Sequence, residues 1–440
     1  MNSWPRYRPG YLLAQSACFL CGGLLLAQLA GAAAATPYGE YFVRLDQARM
    51  DAGGITADPT PGPDADSAAR DNAAFERQLS LLEAEGGPYA DTLAEPLADL
   101  ARLHRRRGDI AQAQQVFQRA LHVVRINDGL YSERQVPILR ELFETYRMSG
   151  DMATLDARYD YFFRLYGSGQ APFTPLRLGA AVEYLRWQRE ALRLELDQRD
   201  ADRLLALYSL NERILQAVDM DPSVDYASYR ALVLSQLRNL YLVLSRYEPE
   251  PEPGVRGSQY VMPTAWDEQD ATRHRLDALQ RSALAQGRGL LDKLIARTPP
   301  DETETLAGAW LELGDWNQWN DSRSEALAAY RQVEAVLRES GNLSLLQQWL
   351  GEPAELPANG AFWQPGSSVG QGQAIVVQAR FDVSARGRVD NIETSASSEA
   401  GERKAGKLRR NLAQTRFRPR IVNGEPEPAL HLQRDYEVLD

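Results

Sequence analysis

The chain has 440 residues, 25% of them charged and 44% hydrophobic, with a formal net charge of -11. That length suits two or three domains, and the acidic balance argues against nucleic acid as a partner, whose capture draws on clustered Lys and Arg. The two cysteines, Cys18 and Cys21, both lie near the N-terminus, so the body of the chain carries neither disulfides nor thiolate chemistry nor cysteine metal clusters.

Arg6 and Arg8 precede an apolar run from Tyr11 to Ala30, closed by Gly31-Ala32-Ala33-Ala34-Ala35. Positive charge, apolar core and small residues follow the order of a signal-peptidase substrate, with Ala33 and Ala35 fitting an A-x-A site. Residues 1–35 are therefore expected to be a cleaved signal peptide and Thr36 the mature start. A retained membrane anchor is the alternative, since the run approaches the roughly 20 residues that span a bilayer. The cysteines fit lipid attachment poorly, because Leu20 precedes Cys21 and Gln15 stands where a Leu is wanted before Cys18. Residues 36–71 read as an N-terminal segment and linker, Asp51–Ser67 being rich in Gly, Pro, Asp and Ala.

Residues 72–350 are expected to be helical repeats. Leu97, Leu100, Ala101 and His104 lead to Gly108-Asp109-Ile110 and then Ala113, Phe117 and Ala120. Moving 42 positions on gives Leu139, Leu142, Phe143 and Tyr146, Gly150-Asp151-Met152, then Leu155, Tyr159 and Phe162. The columns Phe75/Phe117/Tyr159, Leu82/Val124/Tyr166 and Tyr89/Tyr131/Phe173 keep the same period. Apolar steps of three and four mark helices with one buried face. Gly108 and Gly150 suit a left-handed helix end, and Asp109 and Asp151 suit the cap of the next helix. One pair cannot bury its own apolar face, so units must stack. Further on, Trp310-x2-Leu313-Gly314 is followed by Ala326 and Tyr330, which places Trp310 between helices. These residues resemble tetratricopeptide repeats, at a 42-residue rather than a 34-residue spacing, and the resemblance implies protein binding. Between Pro175 and Arg246 the helical pattern persists while the repeat signature fades. Within the region, residues 247–265 form an acidic proline-rich loop that begins Glu248-Pro249-Glu250-Pro251.

Residues 351–367, with Pro353, Pro357 and Pro365, read as a second linker, and 368–440 as a small α/β domain. Ala374–Val383 alternates as a half-buried strand, Arg386-Gly387-Arg388 turns into a second strand over Val389–Thr394, and Glu399–Leu412 is an amphipathic helix. Arg416-Phe417-Arg418-Pro419, Asn423-Gly424-Glu425-Pro426 and a last strand through Leu430, Leu432 and Tyr436 complete the order. This order resembles the C-terminal domain of TonB-type proteins, in which an F-x-P element leaves the helix and an N-G-x-P turn precedes the last strand. Two departures stand out: Trp363-Gln364-Pro365 replaces the usual opening Tyr-Pro, and the helix is unusually basic. The resemblance implies recognition by strand addition to an open sheet edge, assigned to the last strand at Leu430, Leu432 and Tyr436.

The fold class is thus mainly α: a TPR-like helical-repeat superhelix followed by a small TonB C-terminal-like α/β domain with a short antiparallel sheet. The four histidines, His104, His122, His274 and His431, stand apart in sequence, and neither a metal-binding signature nor a nucleophile elbow or phosphate loop occurs. No catalytic residue, cofactor, metal or small-molecule substrate is expected. Two basic surfaces stand out. Arg102, Arg105, Arg106, Arg140, Glu144 and Arg147 fall on the outer side of the first helices. They form either a groove for acidic ligands or a solvated face paired to neighbouring glutamates. Arg403, Lys404, Lys407, Arg409 and Arg410 form a basic patch that either docks on an anionic envelope surface or is merely solvated. The expected function is a periplasmic or envelope-associated scaffold that binds proteins or peptides in a Gram-negative cell. An energy-coupled transport component that keeps its N-terminal helix in the membrane is the alternative.

Overall fold

The computed structural model describes residues 41–45, 65–196, 200–247, 268–362 and 375–439. The expected leader 1–35, residues 51–64 of the first linker, most of the proline-rich loop and residues 363–367 of the second linker lie outside the described residues.

Helix α1 (Ala65–Gly86) leads into five helix pairs. These are α2 (Ala94–Arg106) with α3 (Ile110–Asp128), α4 (Val136–Ser149) with α5 (Met152–Leu165), α6 (Pro175–Arg193) with α7 (Asp200–Asp219), α8 (Tyr226–Arg246) with α9 (Glu268–Arg297), and α10 (Thr303–Trp319) with α11 (Arg323–Glu339). A short α12 (Leu343–Leu350) closes the series. The described chain is mainly helical, and the repeat continues through 175–246, where the sequence pattern fades. The spacing there is lost chiefly because the helices lengthen, from 13 and 19 residues in α2 and α3 to 19 and 20 in α6 and α7: α4 begins 42 residues after α2, whereas α8 begins 51 after α6.

The junction residues act largely as their chemistry requires. Gly108 and Gly150 take φ of 82° and 73°, values at which a Cβ is strained, and so end α2 and α4. Asp151 accepts the Thr154 amide at 3.1 Å as a helix cap, whereas Asp109 caps α3 without a side-chain bond.

Packing joins the pairs through aromatic residues. Ala113, Phe117 and Ala120 are fully buried. The Tyr159 ring stacks between Phe143 at 4.2 Å and Trp187 at 4.7 Å, so one side chain ties α4, α5 and α6 together. Tyr241 meets Trp316 edge-on at 4.7 Å and carries the core into α10. Gly314 is required by close approach: a Cβ there would lie 2.3 Å from the Tyr330 ring of α11. Trp310 is only half buried, while Trp316, six residues on, is fully buried and donates its indole N–H to the Leu284 carbonyl at 3.1 Å. In the column Tyr89/Tyr131/Phe173 only Phe173 packs against the core. Tyr89 and Tyr131 are 51% and 74% exposed, because these positions fall in the loops between pairs rather than on a packed face.

The C-terminal sheet has four antiparallel strands in the order β1-β8-β3-β4, from β1 (Tyr41–Leu45), β3 (Ile375–Val383), β4 (Val389–Ala396) and β8 (Ala429–Leu439). Helix α13 (Glu399–Gln414) covers one face, where Ala405, Leu408 and Leu412 pack on Val377, Ala379, Phe381 and Tyr436. Two-stranded pairs join β2 (Ala354–Leu356) to β5 (Arg416–Arg418) and β6 (Arg420–Val422) to β7 (Glu425–Glu427).

Three expectations are corrected here. The N-terminal segment 36–71 supplies a sheet strand, β1, whose Tyr41 pairs with Leu439 near the opposite end of the chain. The second linker is in part structure, since β2 pairs Ala354–Leu356 with Arg416–Arg418. The last strand is an edge only in its first half: Tyr436 lies between Arg44 of β1 and Val377 of β3, whereas Leu432 pairs with Phe381 of β3 alone among the described residues. Leu430 is 63% exposed, beyond the reach of β1. Among the described residues the outer strands are β1 and β4.

The small sheet does not hang free of the repeats. All described residues fall in one compact unit. Arg418 reaches Asp315 of α10, and Gln318 donates to the carbonyls of Arg386 and Phe417 at 3.0 and 3.1 Å. Arg331 of α11 donates to the Gly424 carbonyl at 2.9 Å, and Arg338 donates to Asn423 at 3.2 Å. The segments R-F-R-P and N-G-E-P are thus the ones that dock onto the last helix pair.

Candidate functional site

The first helices of successive pairs, α2, α4, α6 and α8, lie side by side, and arginines on each point at the next. Glu141 of α4 receives Arg102 at 3.0 Å and Arg105 at 2.6 Å. Glu183 of α6 receives Arg140 at 2.8 Å. Glu190, fully buried, receives Arg147, whose guanidinium also lies 5.2 Å over the Trp187 ring. Burial alone would lower the Arg147 pKa, but the hydrogen bond and charge of Glu190 outweigh it and raise it. Glu144 is exposed and only 3.9 Å from Arg147, and Arg106 is exposed on the same helix as Arg102. The candidate groove is therefore a ladder of arginine–glutamate rungs. Arg102, Arg105, Arg140 and Arg147 are satisfied by carboxylates of the neighbouring helix, which fits the alternative of a face paired to glutamates rather than a groove of free guanidinium groups.

The ladder changes at the next step. Arg189 of α6 is 4% exposed and reaches α8, where the residues in register are neutral: Ser235 Oγ at 2.9 Å and Asn239 Oδ1 at 3.0 Å. No carboxylate lies within ion-pair range of it among the described residues. Burial, reinforced by the charges of Arg238 and Arg186, pushes its pKa down to about 9. Arg238 is likewise lowered by burial and donates to the Asn359 carbonyl at 2.8 Å. Residues 357–360 fold over the first helices here, with Asn359 also donating to Glu312 of α10 at 2.9 Å. Together with the end of α13 they border an open cavity of about 1010 Å³. Arg186, Arg189, Arg238 and Arg416 line it beside Trp319, Leu356 and Phe362. Sequence reasoning missed this site because its arginines come from helices whose repeat signature is faded. The signal available was Arg186 and Arg189, one turn apart on a helix whose neighbour supplies no acid in register.

The other candidate residues are scattered. Arg403, Lys407, Arg409 and Arg410 are exposed on α13 and Lys404 is half buried. Arg409 and Arg410 border a shallow cavity of about 580 Å³ against Asp390 and Asn391 of β4. Arg416, Arg418 and Arg420 do not extend this patch, being engaged by Asp321, Asp315 and Glu427. No cluster of His, Cys, Asp and Glu suited to a metal occurs among the described residues. None of the described helices is long and apolar enough to cross a membrane.

One corner of the fold exposes apolar side chains. Asn127 donates to the Tyr89 carbonyl at 2.8 Å and ties the loop before α2 to the end of α3. Tyr161 anchors the following loop through the Leu130 carbonyl at 2.7 Å. Tyr89, Ile126, Leu130 and Tyr131, all gathered there, are 49% to 74% exposed.

No protein-family model matches the chain. No curated protein matches it either. Among solved structures the chain is similar to kinesin light chain nearly identical TPR-like repeats of Podosopora anserina, in two crystal structures, one of a single-substitution variant. Each is 14% identical and aligns over 57% of this chain; the variant aligns over 98% of its own length with a TM-score of 0.34, the other over 97% with a TM-score of 0.31.

Proposed function

We propose that the chain is a non-enzymatic scaffold of the cell envelope that holds protein partners on its helical repeats. The observation that carries this reading is the exposed corner of Tyr89, Ile126, Leu130 and Tyr131. Large apolar side chains gathered on a surface mark sites of protein contact, and tyrosine is among the residues enriched there. Tyr89 and Tyr131 occupy equivalent places 42 residues apart, so the repeat itself presents them. In this reading the C-terminal module, similar to that of TonB-type proteins, engages a second partner by strand addition at β4 rather than at the last strand.

A photo-crosslinking residue placed at Tyr131 in the full chain, expressed in its native cells, should trap one or a few discrete protein species. The pair Leu130→Ser and Tyr131→Ser should abolish them without altering helicity. Crosslinks no stronger than from an exposed control site such as Arg403 would end the proposal. Export is tested separately by N-terminal sequencing: a start at Thr36 supports the cleaved leader. An intact N-terminus favours the membrane-anchored transport component.

A further inference from the structure

The arginine ladder has one rung with no acid. Three rungs, at Glu141, Glu183 and Glu190, place a carboxylate opposite an arginine of the preceding helix, and the fourth offers Ser235 and Asn239 to the buried Arg189. A buried guanidinium without a counter-charge is costly unless something anionic reaches it. Here something can, because Arg189 borders the cavity rather than sealed core, together with Arg186 and Arg238. Arg186 is exposed and makes no ion pair among the described residues. Arg238 donates to the Asn359 carbonyl at 2.8 Å, and the charge of Glu312, itself shared with Asn359 and Arg230, only partly offsets its burial.

The acids nearby are already engaged. Glu355, the one carboxylate among the described lining residues, bonds to Arg434 at 2.9 Å and to the Tyr436 hydroxyl at 2.6 Å. Arg416 is taken by Asp321 at 3.1 Å. Asn411, Gln414 and Thr415 at the end of α13 add neutral polar groups to the wall. Trp319, Leu356, Pro357 and Phe362 add apolar surface, which limits water and strengthens any charge interaction inside.

We propose that this cavity binds a compact oxyanion, a phosphate or a carboxylate group, between Arg186, Arg189 and Arg238, completing the rung that Ser235 and Asn239 leave neutral. Guanidinium forks match the oxygen geometry of both groups. The site is built jointly by the repeats and the C-terminal module, so occupancy also stabilises the docking of one on the other.

Isothermal titration of the full chain at low ionic strength tests this, with inorganic phosphate and succinate as separate probes and sodium chloride as the reference. Saturable binding of phosphate, succinate or both is expected, and the tighter one identifies the ligand's chemistry. Asn239→Asp supplies the missing carboxylate from within and should weaken that binding at least about tenfold, as should Arg186→Gln. Arg186 is exposed and makes no ion pair among the described residues, so its variant folds and decides the matter if Asn239→Asp does not. Tyr131→Ser should leave the titration unchanged, which separates this site from the scaffold reading. Heats no different from chloride for both probes, or native affinity in Arg186→Gln, would overturn the proposal.

Discussion

The Arg418 guanidinium lies 2.9 and 2.7 Å from the two oxygens of Asp315, with the side chains only 7% and 8% exposed. Tyr330 donates to the same carboxylate at 2.9 Å. Burial alone pushes the Asp315 carboxyl up and Arg418 down; the charge of Asp315 outweighs burial at Arg418 and holds it cationic. Burial leaves the Asp315 carboxyl above its usual value despite the Arg418 charge and the Tyr330 donor, and the contact is a buried, charge-assisted pair. It joins α10 to β5, and with it the repeats to the C-terminal module. Arg418→Ala strands a buried carboxylate and should cost about 3–5 kcal/mol in urea unfolding. Replacing both partners by leucine should restore most of that, since buried pairs exchanged for apolar groups are often nearly neutral. A loss below about 1 kcal/mol for Arg418→Ala, the range of surface changes, would mean the module is held elsewhere.

Helix contact between α10 and α11 depends on Gly314. Its absent Cβ leaves room for the Tyr330 ring, which a methyl would meet at 2.3 Å. Gly314→Ala should destabilise by about 1–3 kcal/mol, the usual cost of overpacking, despite alanine's better helix propensity. In the same helix Trp316→Ala should cost about 3–5 kcal/mol and Trp310→Ala distinctly less, because only Trp316 is fully enclosed. Equal losses for the two tryptophans in thermal melts would contradict this packing.

How much of this was legible before the structure depends on where the signal resides. Helix pairs α2–α5 were readable because Gly108 and Gly150, Phe117 and Tyr159 recur at one period and are locally determined. Pairs α6–α9 keep helical apolar steps, but their longer helices destroy the period, and the fit of Trp187 against Tyr159 leaves no mark in sequence. Strand β1 was invisible: five residues carry little local information, and their pairing with β8 is made at the far end of the chain. The element Arg416-Phe417-Arg418-Pro419 is conspicuous in sequence, but nothing in it reveals that Phe417 is fully buried and Arg418 spent on Asp315. The arginine faces were located correctly in sequence, yet whether each guanidinium meets an acid depends on the neighbouring helix. Arg147 with Glu190 and Arg189 with Asn239 look alike until the helices are set side by side.

Asp225 caps α8 by accepting the Ser228 amide at 2.8 Å and the Ser228 hydroxyl at 2.7 Å. The backbone bond first, then the hydroxyl, hold its carboxyl below the usual aspartate value. Because the folded pKa is depressed, the ionised cap contributes stability above the unfolded value near 3.8, lost as pH falls through the lower folded value. Asp225→Ala should therefore cost about 1 kcal/mol at neutral pH. The native and variant urea midpoints should converge when the measurement is repeated at the acid end. A difference that stays constant with pH would assign the effect to helix propensity instead of the charged cap.

The ladder makes the sharpest energetic prediction, because its rungs differ in burial. Glu190 is fully buried and takes the half-enclosed Arg147, whereas Glu183 takes Arg140, whose side chain is 59% exposed. Removing an acid from the buried rung leaves a guanidinium poorly hydrated, while Arg140 simply returns to water. Glu190→Ala should then destabilise by about 3–5 kcal/mol, and Glu183→Ala by under about 1 kcal/mol. Salt should distinguish them too: the Glu183 rung weakens as ionic strength rises and the Glu190 rung hardly changes. Charge reversal at Arg105 strands Glu141 only partly, since Arg102 still reaches that carboxylate at 3.0 Å, so Arg105→Glu should fall between the two. Urea midpoints of the three variants at low and high salt measure all of this in one series. If Glu183→Ala proves the costliest, the first helices are not stacked in this register, and the neutral fourth rung at Arg189 goes with them.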